Sequence, residues 1–501
     1  MKFKNLGFLS VVVSLLFLTA SASAKEHEQA PYEANWESLA KHTPAPEWFR
    51  NDKFGIYFHW GVYSVPAFGN EWYPRHMHLK DKKEYTHHVN KYGVPTEFGY
   101  DKFVPDFTAE HFDAEEWCDL FQKAGARFAG PVAEHHDGYA MWDSELTPWN
   151  SMDTGPKRDI TGEMAKALRK RDMKLAVTFH HARNSLWKNE KGQWTGHYSG
   201  AKTNFPSMLE DKKRAILYGY MPREEFLDMW LGKLKEVIDK YDPELIWFDS
   251  WLHEIPEEIR QEFVAYYFNE AAKKGQEVLV TYKQEDLPQT VGVLDLEKGG
   301  MKDKTEFVWL TDDTISYGSW CYTENLKIKP TRVVLHSLID IVSKNGQLIL
   351  NISPKADGSI PEGQRNVLLE MGKWLDKYGE AIYDTRPFVV FGHGTAKDEK
   401  GHFGGVKTDK AKTAEDIRYT QKGKTVYAFQ LGKPAPGDTV LLQGFAKSDG
   451  RPALNVASVK LLSNGESIAM KPTDAGLELT IPPVIGEPLD DIANVYKIEL
   501  E

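Results

Sequence analysis

The sequence predicts an α/β chain: a (β/α)8-like barrel of the TIM type over residues 25–388, then an all-β sandwich over residues 389–501. Three observations lead there. Short apolar runs alternate with amphipathic segments along the first part, the pattern of parallel strands joined by helical crossovers. Seven or so such units over about 330 residues suit a closed barrel better than an open sheet. After about Pro387 the texture changes to short alternating runs split by Gly, Pro, Asn and Asp.

The chain opens with a segment outside both domains. Lys2 and Lys4 precede a mostly apolar stretch from Leu6 to Leu18, and Ala22-Ser23-Ala24 gives a small-residue cleavage pattern. This reads as a secretory signal peptide over residues 1–24, with an apolar core too short to span a bilayer. No Cys stands at the cleavage pattern after that core, so a lipoprotein anchor is not expected, and no other long apolar run occurs. The expectation is an exported protein, periplasmic or secreted, with no membrane contact after cleavage.

The barrel strands are expected in "KFGIYFHWG", "ARFAGPVAEHHDG", "MKLAVTFHHAR", "ELIWFDSW", "EVLVTYK", "EFVWLT" and "QLILNIS". The helices are expected in "AEEWCDLFQKAGA", "TGEMAKALRKRDM", "FLDMWLGKLKEVIDKYDP", "IRQEFVAYYFNEAAKKGQ" and "TRVVLHSLIDIVSKNGQ". Each has apolar residues spaced by three and four and most end at Gly or Asp-Pro. In the second domain "TVYAFQLG", "DTVLLQGF", "SVKLLSNG", "LELTIP" and "NVYKIELE" read as strands. That domain shows no catalytic constellation, and its expected role is to brace the barrel rather than bind glycan by itself.

Cleavage after residue 24 removes two lysines and takes the formal charge from −11 to −13. An acidic chain argues against nucleic acid as a partner. The two cysteines, Cys118 and Cys321, have no metal-binding spacing; they are expected either as a disulfide or as two buried thiols. Tryptophan is frequent, 15 in all, and its faces suit the apolar faces of sugars.

Chemistry in such barrels sits at the C-terminal ends of strands. There the sequence places His59-Trp60, His135-His136, His180-His181, Asp249 and Lys283. Asp249 ends "LIWFD" and has Trp247, Phe248 and Trp251 around it. An aromatic-walled carboxylate at a barrel mouth fits a glycosidase nucleophile. A retaining glycosidase needs a second carboxyl group about 5–5.5 Å away. Asp295, Glu297, Asp312, Asp313, Glu71, Glu134 and Asp137 are all candidates, and spacing does not choose among them. The histidines raise the question of a metal. Neighbouring strand residues point to opposite faces, so His135 and His136 are not expected to hold one ion together. H-E-x-x-H is absent. The histidines are therefore expected to serve sugar hydroxyls, with no metal and no cofactor.

Several motifs together resemble glycoside hydrolase family 29, the α-L-fucosidases: "KFGIYFHWGVYSVPAFGNEWYPRHM", "AEHHDGYAMWDSELTPWNS", "LIWFDSW", "GVLDLEKGG", "TDDTISYGSWCY" and "DIVSKNGQLILNISPKADGSIPE", in the family's order from about Trp48 to Phe388. The resemblance implies a retaining exo-glycosidase acting on fucosylated oligosaccharides or polysaccharides, without a cofactor. It places the nucleophile on Asp249 and aligns Glu297 with the acid/base. It implies that His59, Glu71, Trp72, His135, His136 and Trp247 line the fucose pocket, with Trp309 and Trp320 near the sugar. His180 is expected there too, and Lys283 stands where many members carry Arg, which keeps the charge but not the bidentate fork.

Three departures stand out. Glu134 precedes the paired histidines where Lys is frequent, "TFHHAR" stands where Tyr-Tyr-Ser is common, and the Lys-Trp-Glu pattern near the acid/base is missing, Trp309 being followed by Leu310. They leave two competing readings: an exo-glycosidase of the same fold acting on L-galactose or sulfated fucose, and a glycan-binding protein with a decayed site. A metallohydrolase is a distant third.

Overall fold

The barrel strands are runs of buried residues whose side chains alternate between two cores. In the computed structural model, which describes residues 32–395, 400–402, 412–435, 437–447, 454–482 and 490–501, they are β1 (Phe54–Phe58), β2 (Phe128–Glu134), β3 (Lys174–Phe179), β4 (Leu245–Phe248), β5 (Leu279–Tyr282), β6 (Val293–Asp295), β7 (Trp309–Thr314) and β8 (Gly346–Ile352). All pair in parallel with their sequence neighbours, and β8 closes on β1. Tyr57, Val132, Ala176, Leu245, Trp247, Leu279, Val293, Leu310 and Ile349 fill the inside. Ile56, Phe58, Ala133, Val177, Ile246 and Phe248 face the helices.

Those helices are α1 (Ala114–Lys123), α2 (Ile160–Arg169), α3 (Arg223–Tyr241), α4 (Glu257–Lys273), α5 (Thr331–Ser343) and α6 (Glu362–Tyr378). Asp113 and Asp159 cap α1 and α2 by accepting from backbone N–H groups of the first turn. α3 to α6 each follow a proline, whose fixed φ starts the turn without a side-chain cap. No helix lies between β5 and β6 or between β6 and β7, so one flank of the barrel is covered by loops.

The sequence reading missed β6, only three residues long, and α6. It also started β7 too early. The strand runs through Asp312 and Asp313, because Asp312 is buried there against Tyr57 and Lys283. At the end of β2 the register against β3 shifts between Val132 and Glu134. Such an irregularity turns side chains away from simple alternation.

The second domain holds two antiparallel sheets. One runs β9 (Arg386–His393), β10 (Ile417–Lys422), β11 (Thr425–Gln430), β16 (Asn494–Leu500) and β13 (Val456–Leu461). The other runs β12 (Thr439–Leu442), β15 (Gly476–Thr480) and β14 (Ala469–Thr473). β9 begins at Arg386, so a boundary after residue 388 falls inside it. Tyr427, Phe429 and Val495 belong to the same core as the barrel helices. The indole of Trp374 donates to Ala493 O, and a His336 ring nitrogen meets Ile492 O at 2.7 Å. The sandwich thus braces α5 and α6. Cys118 and Cys321 are buried free thiols. The signal peptide expected over residues 1–24 lies outside the described residues. Among those, no helix is long and apolar enough to cross a membrane.

Candidate active site

Asp249 follows β4, Lys283 follows β5, Asp295 ends β6, Glu297 stands two residues later, and Asp312 lies within β7. Strand pairing alone therefore gathers four carboxylates around one ammonium. Lys283 Nζ lies 3.2 Å from Asp249, 3.0 Å from Glu297, 3.4 Å from Asp312 and 3.7 Å from Asp295. Four ionised carboxylates cannot share one buried cation, so some must keep their protons. Burial pushes the Asp295 carboxyl well above the usual range, and neighbouring Asp312 adds to it. Burial also raises Glu297, with Lys283 partly opposing it. At Asp249 burial again disfavours charge, but Lys283 and His136 outweigh it and hold the carboxyl well below its usual value. Lys283 loses charge stability by burial, yet its four acidic neighbours keep it firmly protonated.

Exposure separates the four acids. The side chains of Asp249 and Glu297 are 16% and 20% exposed, those of Asp295 and Asp312 0% and 2%. The first two open to the mouth and the second two lie beneath, where Tyr57 donates to Asp312 and the Asp312 backbone N–H donates to Asp295. The Asp249 and Glu297 oxygens nearest Lys283 are no further apart than the sum of their two contacts.

The other half of the mouth is imidazole. His59, His135 and His180 follow β1, β2 and β3 directly. Their ring centroids lie 4.4–5.3 Å apart. Burial depresses the pKa of all three: His59 to about 4, opposed by its hydrogen bond to Asn351, and His135 and His180 well below the usual value. His136 sends Nδ1 to the His180 carbonyl at 2.8 Å and Nε2 to Asp249 at 3.3 Å. The alternation argument that separated His135 from His136 does not hold here. Both lie beyond the strand and its register shift, and their rings are 4.7 Å apart in one pocket.

Aromatic rings wall the pocket. Trp247 touches His180 at 5.1 Å and lies under the Lys283 ammonium at 4.9 Å. Trp320 stacks on His59 at 5.4 Å, and its backbone N–H donates to Glu71, which is buried. Trp72 meets His136 at 5.5 Å.

The family model "Alpha-L-fucosidase" matches residues 19–380. The tissue alpha-L-fucosidase of Rattus norvegicus is 33% identical over 84% of this chain and 84% of its own length, and the human tissue enzyme 31% identical over 85% and 84%. Among solved structures, the Thermotoga maritima alpha-fucosidase in complex with fucose superposes with a TM-score of 0.72 at 30% identity, covering 93% of this chain and 99% of that one. This chain belongs to the alpha-L-fucosidase family. Its barrel, its sandwich and its standing as a glycoside hydrolase follow from that membership.

Nearly all the residues expected at the site of this alpha-L-fucosidase family member converge there: His59, Glu71, Trp72, His135, His136, His180, Trp247, Asp249, Lys283, Glu297 and Trp320. Trp309 does not. It opens β7 at the opposite end of the barrel, faces outward, and donates its indole N–H to Lys344 O at 3.1 Å. Its neighbour Leu310 takes the inward position. Of the other acidic candidates, Glu134 points outward and has both oxygens 2.8 Å from Lys233 Nζ, so the departure before the paired histidines is a buried ion pair with α3. Asp313 pairs with Lys329, and Asp137 accepts from the Tyr100 hydroxyl.

Three contributors were not foreseen. Asn351 Oδ1 sits 2.8 Å from both the backbone N and the Nδ1 of His59. Arg183, its guanidinium 3.8 Å from the Trp251 ring and 4.7 Å from the Trp72 ring, joins two walls. His402, from the second domain, accepts the backbone N–H of Glu297 on its Nδ1 at 3.0 Å, beside a bridge between Gly300 and Gly401. The "LNIS" of β8 carried the only local signal among these, a lone Asn in an apolar strand.

Proposed function

We propose that this chain is a retaining exo-α-L-fucosidase that releases L-fucose from fucosylated oligosaccharides or polysaccharides through a covalent fucosyl-enzyme. One observation carries the reading: Asp249 and Glu297, the two solvent-reachable acids of the cluster, share the Lys283 ammonium at 3.2 and 3.0 Å. Oxygens so placed are closer than the about 6.5–9.5 Å of an inverting pair, which needs room for a water.

In this mechanism the ionised Asp249 attacks C1 of the sugar while protonated Glu297 gives its proton to the departing glycosidic oxygen. The C1–oxygen bond to the aglycone breaks as the Asp249–C1 ester forms. Glu297, now a carboxylate, takes a proton from water, which attacks C1 and expels Asp249 with net retention. The pKa directions fit the two roles: Asp249 is held well below its usual value by Lys283 and His136, and burial moves Glu297 upward, toward the protonated form an acid needs. The neutral, buried imidazoles read the sugar hydroxyls. The acid role has its own test. Glu297→Ala should lose most hydrolysis of a fucoside with a poor leaving group and far less with a 2,4-dinitrophenyl group, which departs without a proton. Equal losses on both substrates would remove Glu297 from that role.

A further inference from the structure

The imidazole half of the mouth has an arrangement that hydroxyl recognition does not require. One ligand nitrogen from each of His59, His135 and His180 lies within 4.8 Å of the other two, and all three residues are buried. The Asn351 Oδ1 at 2.8 Å from His59 Nδ1 makes that nitrogen the donor and leaves the Nε2 lone pair free. Second-sphere partners of this kind orient metal-binding histidines. The Nδ1 atoms of His135 and His180 are buried with no hydrogen-bond partner. His136 stands outside the set, because its two nitrogens face the His180 carbonyl and Asp249.

We infer that His59, His135 and His180 form a binding site for a divalent transition cation, best matched by zinc, whose occupancy excludes the sugar. Three imidazoles and no thiolate suit zinc and its first-row neighbours, whereas calcium and magnesium call for oxygen ligands. Zinc–nitrogen bonds of about 2.0–2.1 Å set tetrahedral ligand nitrogens roughly 3.4 Å apart. Closing from within 4.8 Å to that spacing calls for side-chain rotation at the three strand ends. A fourth position remains for water, as in three-histidine zinc sites generally. Asp249 attracts a cation here and Lys283 repels it, so the imidazoles themselves supply the affinity. The set depends on His180, which stands where the "TFHHAR" motif departs from the common Tyr-Tyr-Ser. The cation is a competitive occupant, not part of the reaction. The exclusion half of the inference rests on the sugar pocket proposed above; the binding half does not.

The test uses the full chain without a polyhistidine tag. Cobalt(II), a spectroscopic stand-in for zinc, is titrated in and its visible d–d absorption read, with zinc added afterwards to displace it. The expected result is one strongly absorbing, tetrahedral-type cobalt per chain. His180→Phe, and separately His135→Gln, should weaken binding tenfold or more, each variant first shown to fold by its near-UV circular dichroism. His111→Ala, at an exposed histidine, should not change it. Added L-fucose should raise the apparent cobalt Kd. Absence of the absorption, or binding unchanged in both pocket variants, would overturn the site. Cobalt binding that depends on His180 but ignores L-fucose would overturn the exclusion and place the fault with the sugar assignment, since the metal is read without any turnover.

Discussion

The two halves of the barrel mouth are built from different chemistry. β1 to β3 are followed by neutral imidazoles, while β4 to β7 and their ends bring four carboxylates around a single lysine. The halves meet where His136 faces Asp249 and where Asn351 of β8 holds His59. Each half has a buried lysine, and the contrast between the carboxylates around them is instructive. Lys233 and Glu134, behind the imidazoles, are 2% and 1% exposed and pair one to one. Lys283 is outnumbered four to one and faces the pocket. A matched pair is a structural element, since breaking it strands a buried charge. An unmatched cluster cannot be satisfied in one protonation state, so it sets different proton affinities on adjacent acids, which is what acid and nucleophile require.

Four substitutions test that contrast. The largest effect belongs to the charged half. Asp249→Ala should lower kcat by about 10⁴ or more with the fold intact, as loss of a nucleophile does; steady-state kinetics with an aryl α-L-fucoside measures it. Next is Glu134→Ala, which leaves Lys233 alone in the core and should destabilise the protein by about 3–5 kcal/mol. Denaturant unfolding reads this, while the pH profile of kcat should keep its shape. Lys283→Met should do the reverse: a loss of about 10²-fold in kcat, with a displaced pH profile. On this mechanism wild-type activity should fall with rising pH as Glu297 loses its proton and with falling pH as Asp249 gains one. Without Lys283 both carboxyl groups hold protons more tightly, so both limbs should move to higher pH. Limbs that stay in place would show that the lysine serves only packing. The smallest effect is expected from His402→Ala, about tenfold in kcat with KM little changed, because the ring steadies the Glu297 backbone rather than the sugar.

Much of this site was legible before folding, because barrel chemistry collects at strand ends and strand ends are readable from apolar runs. His59, His135, His180, Asp249 and Lys283 each follow such a run within a residue. The failures have physical causes. Trp309 was misplaced because β7 starts there rather than ending nearby, and where a residue falls along a strand decides which end of the barrel and which face its side chain takes. Asp295 and Asp312 were seen as acids but not as the layer beneath the pair, since depth depends on three-residue β6 and its pairing. Glu134 finds its partner 99 residues away and His402 reaches Glu297 across 105, contacts that no local pattern encodes.

The most direct test of the central claim is the anomer first released from an α-L-fucoside, followed by proton NMR before mutarotation. The Asp249–Glu297 pair predicts α-L-fucose first, with the β anomer appearing only as the sugar equilibrates. Initial release of β-L-fucose would mean single displacement by water and would contradict the assignment of Asp249 as nucleophile.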